Sequence, residues 1–143
     1  MSRTHRVRLA VTAVPFVLAL SGCSVVTAFT PHVEPAIYDT AKEFAAADSS
    51  AFGSPAFVPD DATVIRVDYD TETGEAIMTY ASKVHVAEGT CTGQTATPKP
   101  TIQDSWWPIT GLPATVSDCG GGWSAFTVGD QVYAARKVAS TPK

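Results

Sequence analysis

Histidine is scarce in this chain of 143 residues, with three in all, and cysteine equally so, with three. Nucleophilic or acid–base catalysis needs a nucleophile, a base and an orienting group that converge. Apart from His5 near the start of the chain, only His32 and His85 could serve as imidazole bases, and neither sits in a recognisable motif. There is no Gly-x-Ser-x-Gly, and Gly120-Gly121-Gly122 lacks the lysine and helix that would follow a phosphate-cradling loop. Charge is thin too: 17% of residues, with ten basic against fourteen acidic side chains. The length allows one small domain and whatever is processed away, which excludes a helical array or a multidomain enzyme. Long apolar runs are lacking as well. The longest, residues 9–20, would reach only about 18 Å as a helix, short of the roughly 30 Å hydrocarbon core.

That run follows Arg3, His5, Arg6 and Arg8 with no acid among them, the n-region and h-region of an export signal. It carries no twin-arginine pair and ends in Leu20-Ser21-Gly22-Cys23. These residues resemble the lipobox of bacterial lipoproteins: an apolar residue, two small ones, then Cys. The resemblance implies a signal peptide at 1–22, cleavage before Cys23, and a diacylglyceryl thioether on the Cys23 thiol. It further implies anchoring in the cell membrane by lipid on the extracytoplasmic face. Two acyl chains make a durable anchor, where one would be marginal. Losing residues 1–22 removes three of the ten basic side chains and no acidic one, leaving seven against fourteen, a net charge of −7. That balance disfavours nucleic acid and electrostatic adhesion to anionic lipid.

The lipidated Cys23 and a spacer fill 23–35, and the extracytoplasmic domain is expected over 36–143. Pro35 suits the start of a helix over about 36–48, with Ile37, Ala41, Phe44, Ala45 and Ala47 as its apolar side. Residues 62–69 alternate, with Ile65, Val67 and Tyr69 on the face expected to be buried. A second strand is expected over 76–87, bent near Ser82. Residues 123–128 and 131–138 form a hairpin around Gly129-Asp130, a type II′ turn that sets Phe126 opposite Tyr133, Trp123 opposite Arg136 and Ala125 opposite Ala134. Residues 89–122 lack periodicity, and a stretch that long needs a constraint. With Cys23 lipidated, Cys91 and Cys119 remain for one disulfide. The expected fold is therefore α+β: one N-terminal helix on an antiparallel sheet of four to five strands built from hairpins, with one disulfide.

Candidate chemistry is sparse. Asp68, Asp70, Glu72 and Gly74 suggest a calcium loop, but the sixth position is Thr73 where that motif has glycine and the twelfth is Thr79 where it has glutamate, so a solvated turn is the better reading. No metal and no cofactor are expected. Trp106-Trp107-Pro108 sends adjacent indoles to opposite sides of an extended segment, offering one for the core and one for contact with a sugar, peptide or protein. Residues 57–138 also resemble small lipoproteins of high-GC Gram-positive bacteria, a family that implies no activity. The resemblance rests on Val58-Pro59-Asp60-Asp61-Ala62-Thr63, the paired cysteines and Gly122-Trp123. Together these features predict a non-catalytic binding or envelope-associated module. The alternatives are an envelope-polymer hydrolase using carboxylates among Asp60, Asp61, Asp68 and Asp70, and a structural accessory subunit of a membrane complex.

Overall fold

The computed structural model describes residues 32–137; the signal peptide and Cys23 lie outside them. The chain runs β1 (Val33–Thr40), α1 (Ala41–Ala47), β2 (Thr63–Asp70), β3 (Ala76–Ala81), β4 (Gly93–Ala96), β5 (Thr115–Gly120), β6 (Trp123–Val128) and β7 (Gln131–Arg136). All seven strands form one antiparallel sheet in the order β1-β2-β3-β7-β6-β5-β4.

This corrects the expected helix on a sheet of four to five strands. Residues 33–40 are a strand, and among the described residues only seven, Ala41–Ala47, are helical. The ladder to β2, from Val33 opposite Asp70 to Thr40 opposite Thr63, satisfies a β2 edge that a helix would leave open. Ile37, placed on the expected helical face, is 62% exposed on the strand. Thr40 then ends the strand and caps the helix: its Oγ1 accepts from the Glu43 amide at 3.2 Å, and Glu43 Oε2 accepts from the Asp39 amide at 3.1 Å. Thr-x-x-Glu is a capping-box pattern, and it places the helix start after Thr40. Being an edge strand, β1 carries Glu34, Pro35 and Asp39, which discourage pairing with a further strand.

The expected strand over 76–87 stops at Ala81. Ser82 takes over there: its Oγ donates to Asp61 Oδ1 at 2.7 Å and accepts from the Val84 and His85 amides at 3.1 and 3.0 Å. Those bonds hold a tight loop in which His85 adopts φ 66° and Tyr80 donates its phenol to the His85 carbonyl at 2.8 Å. The segment 89–122, expected to be irregular, contains β4 and β5. Gly121 and Gly122, at φ 61° and 82°, form a two-residue turn joining β5 to β6. A Cβ on Gly122 would lie 2.3 Å from the Lys137 carbonyl oxygen, so no other residue fits there. The last hairpin has the expected register, with Phe126 opposite Tyr133 and Trp123 opposite Arg136. Gly129 at φ 62° supplies the positive dihedral of its turn.

Both faces of the sheet are covered. On one, Ile65, Val67, Met78, Tyr80, Trp123 and Val132 pack beneath Phe44 of α1 and Phe52, Phe57 and Ala62 of the connection into β2. On the other, Ile77, Val116, Phe126 and Ala135 pack beneath Ile102 and Trp107 from residues 97–114, which act as a strap. Each fully buried large apolar side chain contributes roughly 1.5 to 3 kcal/mol through removal from water.

Candidate functional site

The strap gathers three of the sequence-expected site residues, Trp106, Trp107 and Asp68, on one face of the sheet. Its neck is closed by the Thr97 amide bonded to the Ala114 carbonyl at 3.2 Å and by the Thr97 hydroxyl bonded to the Pro113 carbonyl. From the β4 edge it crosses to the opposite half of the sheet. There Glu75, preceding β3, accepts from the Thr101 amide at 2.6 Å and from the Thr101 hydroxyl. It then runs past Asp68 of β2 before returning beneath β6 and β7.

On the return, residues 105–107 form a turn, closed by the Trp107 amide on the Asp104 carbonyl at 3.1 Å, rather than the expected extended segment, and the two indoles still divide. Trp107 is 7% exposed and meets Phe126 and Tyr133 edge-on, at ring centroid distances of 5.9 and 6.1 Å. Phe126 and Tyr133 in turn stack at 5.5 Å across the β6–β7 ladder. Trp106 stays half-buried at the rim, its ring 6.2 Å from that of Trp107. Trp107 is thus a packing residue, and Trp106 is the member of the pair that solvent reaches. Beyond them Ile109 stands 85% exposed.

Asp68 is the chemically distinctive group. It points to the strap side of β2 and is 6% exposed. Burial, a hydrogen bond to Asp104 and the negative charge of Asp104 push its carboxyl up to about 6; hydrogen bonding to Trp106 and the charge of Arg66 pull weakly the other way. Asp104 goes down instead, held ionised first by the Ser105 hydroxyl, then by the Trp106 and Ser105 amides and by Asp68. Below about pH 6 the pair therefore carries one proton, held by Asp68 and accepted by Asp104. Asp104 was not singled out from the sequence, because nothing local distinguishes it from other loop acids; only the strap's path brings it to Asp68.

The four carboxylates named for the hydrolase alternative do not converge. Asp61, before β2, is spent on Ser82 and on the Lys83 amide at 2.9 Å, which together hold it below the usual carboxylate range. Asp70, at the far end of β2, accepts from the Glu72 and Thr73 amides at 2.8 Å each and is likewise lowered. An eight-residue strand separates them, roughly 23 Å at about 3.3 Å per residue. Asp60 lies beside a cleft of about 430 Å³ near Val84. Ser82 Oγ, already donating once and accepting twice, has no capacity left to act as a nucleophile. His32 Nδ1 lies 3.2 Å from Glu72 Oε1 on the exposed turn. Among the described residues no group of three or more His, Cys, Asp or Glu is placed to hold a metal ion. No helix among them is long and apolar enough to cross a membrane.

Cys91 and Cys119 form a disulfide, with Cα atoms 4.0 Å apart, on the face opposite the strap. It ties the chain entering β4 to the end of β5, the strands from which the strap springs.

The proton shared by Asp68 and Asp104 predicts a pH dependence whose sign follows from the raised value. The contribution is complete below the ordinary aspartate value of 3.8 and is lost as pH rises through about 6. Unfolding free energy should fall by about 1 to 2 kcal/mol between pH 4 and pH 7.5, allowing for solvent at the strap's margin. Asp68→Asn keeps a neutral donor, so urea titrations of that variant should lose this slope. An unaltered slope would mean that another group titrates.

Compared with models of known protein families, with curated proteins and with solved structures, the chain matches none of them. The functional reading therefore rests on its own residues.

Proposed function

We propose that the chain is an exported lipoprotein whose disulfide-bonded sheet is held outside the cytoplasmic membrane by lipid on Cys23, as a non-catalytic binding or envelope-associated module. The observation that carries this reading is the cysteine inventory. Cys91 and Cys119 are bonded to each other, a pairing suited to an oxidising compartment. That leaves one thiol, and it stands at the end of Leu20-Ser21-Gly22-Cys23 behind a basic and then apolar leader. Asp61, Asp70 and Asp68 are separately committed to a loop, a turn and the strap, so they do not assemble the carboxylate site of the hydrolase alternative. Trp106 at the strap rim, with Ile109 beyond it, is the contact we assign to an envelope protein, peptide or glycan partner.

The anchor is tested by mass spectrometry of the mature protein with membrane fractionation of wild type and Cys23→Ser. Wild type should start at Cys23, carry acyl mass and sediment with membranes; the variant should remain unacylated and keep its leader or leave the membrane fraction. An unmodified wild-type N-terminus, or a Cys23→Ser protein processed and membrane-bound like wild type, overturns the proposal.

A further inference from the structure

On the disulfide face, a cleft of about 330 Å³ lies between the β5–β6 turn and residues 52–56, with Arg136, Trp123, Phe52, Ser54 and Gly121 among its walls. No carboxylate lines it. The Arg136 guanidinium is half-buried at the end of β7. One of its nitrogens, Nη1, donates to the Ala51 carbonyl at 2.9 Å, which orients the head, and it forms no ion pair among the described residues. A guanidinium has five N–H donors, and a partly desolvated cation without a counter-charge is costly. The other lysines and arginines among the described residues form no ion pair either, but they are exposed; Arg136 alone is half-buried, its head fixed in a cleft wall that holds no carboxylate.

Two further donors sit beside it. Trp123, 5% exposed, presents an indole N–H that meets no protein acceptor among the described residues yet is not sealed from solvent. Its Cδ1, next to that nitrogen, lies 3.9 Å from where a Cβ on Gly121 would be, which sets this edge of the ring against the turn. The amide of Gly121, which lines the cleft, likewise donates to no protein group among the described residues. Phe52 and Pro55 supply apolar wall.

We propose that this cleft binds a small ligand presenting an oxyanion head group, a carboxylate or a phosphate, to Arg136, with its apolar body against Phe52 and Trp123. Charge-assisted bonds from a guanidinium, reinforced by backbone and indole N–H groups, are the usual means of holding such a head group. The volume is at the small end of ligand sites and admits a body of about one ring. The site stands on its own geometry and does not depend on the lipid tether.

Benzoate and phenyl phosphate serve as probes, with benzamide as the uncharged control, in NMR titrations of the isotope-labelled protein. We expect saturable shifts of the Gly121 amide and of the Trp123 indole N–H with the anions and none with benzamide; the tighter anion identifies the head group. Arg136→Gln should weaken binding about 10- to 100-fold. Because that change also removes the tie to Ala51, a second variant, Ser54→Asp, keeps Arg136 and places a competing carboxylate at an exposed position in the cleft; it should weaken binding comparably. Shifts with benzamide equal to those with the anions, no response to either anion, or wild-type affinity in Ser54→Asp would overturn the proposal.

Discussion

Trp107→Ala should lower the unfolding free energy by about 3 to 5 kcal/mol, whereas Trp106→Ala should cost about 1 kcal/mol or less. Trp107 is the main contact between the strap and the sheet, touching Phe126 and Tyr133 edge-on beside Ile77, Ile102, Val116 and Ala135. Its removal leaves a cavity that the strap cannot collapse into while Glu75 holds Thr101 and Asp68 holds Asp104. Urea titrations of both variants at pH 5, where the carboxyl pair still keeps most of its proton, provide the measurement. Near-equal losses would mean that the indoles share the packing and that Trp106 is not free for a partner.

Replacing Cys91 and Cys119 together by alanine should cost about 3 kcal/mol, from the entropy of an unfolded chain no longer closed between positions 28 apart. The bridge joins the two sheet-edge strands that carry the strap, so the loss should have a local signature as well. Amides of β4 and of residues 97–114 should exchange with solvent faster than those of β2, β3 and β7, whose ladders lie far from the bridge. A double variant that unfolds at the same urea concentration as wild type would show that the ladder from β4 to β5 holds that edge unaided. The cost should be additive with Asp68→Asn, since the bridge and the carboxyl pair lie on opposite faces and share no partner.

How much of this was legible varies with how local the signal is. The β6–β7 hairpin was, because Gly129-Asp130 carries its own turn geometry and the flanking alternation sets the register. The buried face of β2 was as well: Ile65 and Val67 are fully buried, and their neighbour Arg66 faces the other way. Two local signals were present and passed over. Thr40-x-x-Glu43 marks the helix start, and Gly121-Gly122 before a strand marks a hairpin turn. The strand nature of residues 33–40 was hidden, because apolar spacing at Ile37, Ala41 and Phe44 fits a helix equally well until β2 offers an open edge. Strands β4 and β5, with Val116 the only buried residue between them, have almost no pattern of their own and exist through pairing with β6.

The sequence by itself determined the pairing of Cys91 with Cys119 and the turns whose dihedrals glycine alone tolerates, since these depend on how few cysteines there are and on residues adjacent in the chain. Tertiary structure alone decided that residues 33–40 extend, that Trp107 rather than Trp106 is buried, that Asp104 reaches Asp68, and that Arg136 faces a cleft without an acid. Those outcomes depend on which backbone edge needs a partner and which face needs a cover, and these are properties of the assembled sheet rather than of any segment within it.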